Sequence, residues 1–340
     1  MTRNKRVRHA WLSLLVLMSP VVVWAGDAGT AGTGAGDARE LLRQMSVASM
    51  GLNYRGTFVY LHNGQLEAMQ VIHRAAKDGE QERLVALTGE AREVIRDKDK
   101  VTCILPNSKA VMVDKSIPRQ AFPAALPHDL NALTDTYEFQ VLGEDRMSGR
   151  PARIVAIRPL DAFRYGYRLW LERDRHLLLK SELIDGDGRA VEQTMFTALE
   201  ILDAVADAEL QPALQGEGYT RHGYAPKASA EAAVPVDGGA GDSAWSVAGL
   251  PAGFMRTHYN RHGLPSDRGP VEHMVFSDGL ATVSVYIEPH RSDVEGLSGV
   301  SSRGAVNALG TRVGDYQITV VGEVPRVTVE RIGESVQRRP

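Results

Sequence analysis

The stretch TFVYLHNGQLEAMQVIHR, Thr57–Arg74, decides the fold class. Thr57–His62 and Leu66–Arg74 are rich in β-branched, aromatic and other apolar residues, and Asn63-Gly64 lies between them. Asn-Gly fills the two left-handed positions of a tight hairpin turn at little steric cost, so the pair predicts two antiparallel strands. The texture continues through Glu82–Thr88, Arg92–Arg96, Val101–Leu105, Ala110–Asp114, Tyr137–Leu142, Pro151–Arg158, Tyr165–Glu172, His176–Ile184 and Val191–Ile201. Most connections carry Gly, Asp, Asn or Pro, as in Pro106-Asn107 and Gly186-Asp187-Gly188. Strands at intervals of roughly 8–12 residues with such turns predict an antiparallel meander. Helices long enough for parallel crossovers are missing, which argues against a dinucleotide-binding architecture.

The strands alternate. Tyr165, Tyr167, Leu169 and Leu171 share one face, and Arg168, Trp170 and Glu172 the other. Leu177, Leu179 and Leu183 oppose His176, Lys180 and Glu182 in the same way. A single sheet of about eleven strands curls. Its apolar face then needs a cover. The sequence offers a helix starting at an Asp37 cap, with Leu41, Leu42, Met45 and Ala48 on one side and Gly51 at its end. It also offers Ser116–Leu133, too rich in proline for regular strand.

Both ends of this region are marked. Met1–His9 is basic, Ala10–Trp24 is almost wholly apolar, and Val23-Trp24-Ala25 places small residues where a signal peptidase cuts. Residues 1–25 are therefore expected to be a signal peptide cleaved after Ala25, since the apolar run is shorter than the roughly 20 residues that span a bilayer. The chain of 340 residues has a formal charge of −3; removing four positive charges, Arg3, Lys5, Arg6 and Arg8, with no acid, leaves −7. An acidic chain without a basic stripe argues against nucleic-acid binding. One cysteine, Cys103, excludes an internal disulfide framework and thiolate metal clusters. Residues 26–36 read as a Gly/Ala-rich flexible tail and 226–244 as a linker, enclosing a large domain over 37–225.

Residues 245–340 form a second, smaller α+β domain on this reading. Val271–Phe276 and Leu280–Glu288 pair across Ser277-Asp278-Gly279, Tyr316–Val321 is another strand, and Pro325 opens a helix bearing Val329, Ile332 and Val336. His290–Gly304 reads as a loop, and Arg256–Arg268 as an exposed basic and aromatic run. His258-x-x-x-His262 has metal-ligand spacing on a helix, but Gly253 and Gly263-Leu264-Pro265 argue against that helix. No metal and no cofactor is expected. Cys103 reads as a buried thiol in a strand. No nucleophile elbow, phosphate loop or dinucleotide fingerprint occurs, so a non-enzymatic binder is expected. Asp161–Arg168 (DAFRYGYR) concentrates aromatics and arginines, suited to a recognition surface and equally to strand packing.

Several motifs recur in a familiar order. They are Asn53-Tyr-Arg-Gly-Thr-Phe-Val-Tyr60, Glu67-Ala-Met-Gln-Val-Ile-His-Arg74, Glu82–Gly89, Tyr137–Gly143, Gly149-Arg-Pro151 and Phe163–Glu172. Leu250-Pro-x-Gly-Phe254, Val275–Leu280, Ser284-Val-Tyr286 and Gly322-Glu-Val-Pro325 extend the order into the second domain. The chain thereby resembles the MucB/RseB family of periplasmic regulators of the envelope-stress sigma factor. The resemblance implies a LolA/LolB-like half-barrel, a strongly curved antiparallel sheet around a lipid-accommodating cavity with covering helices. It implies binding to the periplasmic domain of a membrane anti-sigma factor of the MucA/RseA kind, protection of that partner from proteolysis, and release by lipid or lipopolysaccharide. Self-association is left open.

Strand register and composition then suggest particular residues. A lipid groove is expected from Phe58, Met69, Val71, Leu84 and Trp170, and a partner surface from Arg261, Arg268, Phe276, Tyr286 and Arg303. A slip of one residue would invert the groove. The alternative function is a periplasmic lipoprotein or lipid carrier of the LolA type, which shares the groove but has no need of a second domain.

Overall fold

The computed structural model describes residues 31–77, 79–98, 100–115, 126, 129–213, 218–223, 243–263, 270–291 and 296–339. The expected signal peptide lies outside them, as do residues 26–30 of the tail and 226–242 of the linker.

Helix α1 spans Ala31–Gly51. It starts six residues before the expected Asp37 cap, because the alanine-containing run ahead of Asp37 holds no proline to stop it. Ala38, Leu41, Leu42, Met45 and Ala48 are buried along one side, the spacing of a single helix face. Six strands follow in a meander: β1 (Asn53–His62), β2 (Gln65–Ala76), β3 (Gly79–Ala86), β4 (Glu93–Asp97), β5 (Lys100–Leu105) and β6 (Ala110–Lys115). A second meander holds β7 (Tyr137–Met147), β8 (Arg150–Pro159), β9 (Gly166–Glu172), β10 (Leu178–Ile184) and β11 (Ala190–Leu202). All eleven expected strands are present. Asn63 (φ 47°) and Gly64 (φ 71°) occupy the left-handed positions of the first hairpin.

The meanders join where β1 pairs with β11. Strand β12 (Thr220–Gly223) adds a parallel edge beside β6, giving the order β12-β6-β5-β4-β3-β2-β1-β11-β10-β9-β8-β7. The sheet is thus antiparallel except at this edge. It does not close, since β12 and β7 are its two ends. Strands β6 and β7, consecutive in the chain, lie toward opposite margins of the sheet, with residues 116–136 between them. The described part of this connection, Leu126 with the short 3-10 helix Leu130–Leu133, packs with α1 against Tyr137, Phe139, Val155, Ile157, Leu169, Leu171 and Leu178. Helix α1 and this described part of the expected Ser116–Leu133 cover pack on that part of the sheet; residues 116–125 and 127–128 lie outside the described residues.

Leu177, Leu178 and Leu179 are all buried, against the simple alternation read from the sequence. The register shifts between Leu178 and Lys180, so consecutive leucines enter three different clusters.

The smaller domain comprises β13 (Trp245–Val247), β14 (Met255–Gly263), β15 (Pro270–Ser277), β16 (Thr282–Pro289), β17 (Gly299–Arg303), β18 (Val306–Val313) and β19 (Tyr316–Glu323). Helix α2 (Arg326–Glu334) and β20 (Val336–Arg338) complete it. Six strands run in the order β14-β15-β16-β19-β18-β17, and β13 pairs with β20. Val329 and Ile332 of α2 pack on Val283, Val285, Ile318 and Val320. Two sequence expectations are corrected. Arg256–Gly263 belongs to an edge strand, on which Thr257, His258 and Arg261 are exposed, and residues 299–303 of the expected loop are a strand paired with β18. All three sheets belong to one compact unit, Gly32–Pro340.

Candidate functional site

Asn53-Tyr-Arg-Gly ties four elements together. The Asn53 amide donates to the Asp203 carbonyl at 3.0 Å and accepts from Ala75 N–H at 2.9 Å. Tyr54 stacks on His73 with centroids 4.7 Å apart. Arg55 pairs with Glu200 at 2.8 Å and Glu209 at 2.9 Å. A Cβ on Gly56 would lie 2.7 Å from both the Ala198 carbonyl and the Phe196 ring, so only glycine lets that ring close onto β1.

Phe196 sits edge-on to Phe58 at 5.9 Å, and both belong to a cluster with Tyr54, Met69, Val71 and Leu177. Phe58 lies directly opposite Met69, and Val71 opposite Leu84. Direct partners in antiparallel strands project to the same face. Four of the five expected groove residues therefore share one apolar face. The same register carries on through Val94, Cys103 and Met112. Exposure rises along this row, from 4% at Val71 to 52% at Met112. Burial pushes the Cys103 thiol pKa up, which disfavours the thiolate and a nucleophilic role.

Trp170 is not with them. It opposes Ile154 and Lys180, and it packs with Ala152 and Leu179 on the other face of the sheet. Its indole N–H donates to Asp145 at 2.8 Å, and the Lys180 ammonium lies 4.2 Å from the ring centroid. The tryptophan is a structural anchor on the far side of the sheet.

The expected partner residues also separate. Phe276 is 3% exposed in the core of the small domain and offers no surface. Arg261 is exposed on β14 and Arg303 on β17, the opposite edges of that sheet. Tyr286 is half-buried, stacked on His273 at 4.3 Å. Arg268 lies outside the described residues. His258 and His262 lie on a strand, not a helix, and no group of three or more metal-ligating side chains occurs among the described residues.

Sequence reasoning flagged Asp161–Arg168 without finding its role. Arg164 is 2% exposed and reaches from the large sheet to the small domain. It donates to Asp161 at 3.0 Å, to Asp278 at 2.6 Å and to the Ala252 carbonyl at 2.7 Å. Tyr137 and Phe254 lie against the guanidinium, 5.4 and 5.1 Å from ring centroid to carbon. The Tyr137 hydroxyl donates to Asp278 at 2.9 Å, and its pKa is raised by burial and by that carboxylate. Asp278 also accepts from Leu280 and Ala281 N–H, so both its oxygens are satisfied. Gly253 has φ +82°, and a Cβ there would lie 2.8 Å from Thr136, beside Arg164 and Asp278. Thr328 donates to the Phe163 carbonyl at 2.7 Å, and Asn307 to the Tyr165 hydroxyl at 3.2 Å. The motif is the latch between the domains.

Comparison with known proteins accounts for most of the chain. A family model described as the MucB/RseB N-terminal domain matches residues 37–214, and one described as the MucB/RseB C-terminal domain matches 239–337. The chain is 34% identical over 310 residues to the sigma factor AlgU regulatory protein MucB of Pseudomonas aeruginosa, covering 90% of this chain and 92% of that one. It is 25% identical over 340 residues to the sigma-E factor regulatory protein RseB of Escherichia coli, covering 97% and 98%. Among solved structures it matches the P. aeruginosa MucA/MucB complex with a TM-score of 0.68 at 31% identity, over 89% of this chain and 99% of that one. A crystal structure of MucB in complex with MucA(peri) matches with a TM-score of 0.67 at 30% identity, over 89% and 100%.

Proposed function

The chain belongs to the MucB/RseB family, and on that premise we propose that it is a periplasmic, non-catalytic regulator of an envelope-stress sigma factor. It binds the periplasmic domain of a membrane-spanning anti-sigma factor and shields that domain from regulated proteolysis. Lipid or lipopolysaccharide in the large domain releases the partner, and the sigma factor is then freed. The observation that carries this reading is the likeness, across both domains, to a MucB bound to MucA(peri).

The apolar face of β1–β6 supports the lipid step. Each buried methylene contributes about 0.8 kcal/mol, so an acyl chain needs no catalytic group to be held there. Release requires only that lipid bind more tightly to the partner-free state, and the coupling is then reciprocal. A carrier of the LolA type would have no use for the second matched domain.

The test is protease protection. The chain from Gly26 is mixed with the purified anti-sigma periplasmic domain, and cleavage by the site-1 protease is followed with and without lipopolysaccharide. The proposal expects cleavage to be slowed by the chain and restored by lipid. Equal cleavage rates with and without the chain would overturn it.

A further inference from the structure

The alternation of β14 breaks once. Arg256 lies opposite Phe276 but His258 lies opposite Val275, so Thr257 is an extra residue on this edge strand. In unbroken register His258 would oppose Met274, which is buried in the core of the small domain. The bulge instead turns His258 to the other face of the sheet, where Asn260, Val275 and His273 also lie. Bulges at sheet edges commonly re-aim a side chain in this way.

On that face His258 meets His273. The ring centroids are 6.4 Å apart and the planes are inclined at 65°. His273 is held from two sides. Its ring stacks on Tyr286 at 4.3 Å, and its Nε2 lies 3.1 Å from the Ser284 hydroxyl. His258 is exposed, and among the described residues it makes no hydrogen bond or ion pair. The sequence spacing pointed to a different pair, His258 with His262. Those two would share one face of a helix, but on a strand four residues at about 3.3 Å each set them about 13 Å apart. The strand brings His258 to His273 instead.

An anchored imidazole beside an exposed, uncommitted one is a two-nitrogen chelate. Imidazole nitrogens bind divalent transition ions at about 2.0–2.1 Å. Rotation of the exposed His258 side chain supplies the small approach that this distance requires.

We propose that His258 and His273 form a site for a divalent transition-metal ion of the copper or zinc kind on the edge of the small domain. No group of three or more metal-ligating side chains occurs among the described residues, so water completes the coordination. With the ion on Nδ1 of His273, the Nε2–H donates to Ser284, an outer partner that fixes the tautomer and orients the ring. Two neutral nitrogens favour such ions over magnesium, which prefers oxygen ligands. The site stands on its own geometry and does not depend on the regulatory reading.

Calorimetric titration of the full chain from Gly26, purified without a tag, tests the proposal with Cu²⁺, Zn²⁺ and Mg²⁺ each alone as the probe. Cu²⁺ is expected to bind saturably, Zn²⁺ more weakly, and Mg²⁺ not at all. His258→Gln changes an exposed side chain on an edge strand and should weaken Cu²⁺ binding about tenfold or more, with circular dichroism unchanged. Ser284→Ala should weaken it about tenfold by releasing the His273 ring, and Ser284→Thr, which keeps the hydroxyl, should restore it. Electron paramagnetic resonance of the copper-loaded chain should show one imidazole nitrogen fewer in His258→Gln than in the parent. No saturable binding of Cu²⁺, affinity unchanged in His258→Gln, or Mg²⁺ bound as tightly as Zn²⁺ would each overturn the proposal.

Discussion

Arg164 and Asp278 lie 2.6 Å apart with both side chains fully buried, one on the large domain and one in a hairpin turn of the small domain. Such a pair is costly to desolvate and is tolerated only when its hydrogen bonds are complete. Here Asp161, Ala252, Tyr137, Leu280 and Ala281 complete them. Removing one partner would strand the other charge. Arg164→Ala is expected to cost about 3–5 kcal/mol and to split denaturant unfolding into separate transitions for the two domains. Arg164→Lys should rescue little, because an ammonium lacks the planar fork that serves two carboxylates. Urea unfolding followed by fluorescence checks both. A single transition at the parent midpoint in Arg164→Ala would contradict the latch.

The small domain separates core from surface. Phe276→Ala should destabilise that domain by about 3–5 kcal/mol, as a core aromatic does. Tyr286→Ala and Arg303→Ala should leave the melting temperature close to the parent value. If either residue contacts the anti-sigma partner, its loss should weaken binding by about 1 kcal/mol or more. Thermal melts paired with titration of the partner domain distinguish the two behaviours.

The sheet faces give a parallel test. Leu84→Asp places a charge in the apolar row and should weaken lipid binding in a folded protein. Trp170→Ala should leave lipid binding unchanged and cost about 3–5 kcal/mol of stability. Fluorescent fatty-acid displacement and urea midpoints on both variants decide it. Lipid binding lost in Trp170→Ala but kept in Leu84→Asp would invert the face assignment.

Much of this was legible in the sequence because the large sheet obeys local rules. Asn63-Gly64 dictated its hairpin, and alternation placed Phe58, Met69, Val71 and Leu84 on one face. Where local rules are broken, the reading failed. The shift at Leu178 and Lys180 has no compositional mark. Trp170 is apolar enough for the groove, although its neighbours Leu169 and Leu171 had already placed it on the opposite face. Polar residues in β14 and glycine with serine in β17 hid two edge strands. Asp278 was read as a turn residue, which it is, but a turn signal does not reveal a partner supplied by Arg164 from 114 residues away.

A titration links the domains as well. Burial and the Glu192 carboxylate push the Glu323 pKa from 4.5 up to about 7. Glu323 ends β19, while Glu192 is on β11 and accepts the Tyr60 hydroxyl at 2.6 Å. The folded state therefore holds a proton that the unfolded chain has released. The resulting stability is full below about pH 4.5 and is lost as pH rises through about 7. Because the residue keeps contact with solvent, the effect is smaller than full linkage allows. Glu323→Gln should flatten the pH dependence of the urea midpoint across this window. A variant that follows the parent curve would remove Glu323 from the account.

The most direct test of the central claim is the affinity of the chain from Gly26 for the periplasmic domain of its cognate anti-sigma factor, measured by calorimetry with and without lipopolysaccharide. The account predicts saturable binding of the partner that lipopolysaccharide weakens in a dose-dependent way. Partner binding indifferent to lipid would contradict the release mechanism, and absence of partner binding would contradict the regulatory function itself.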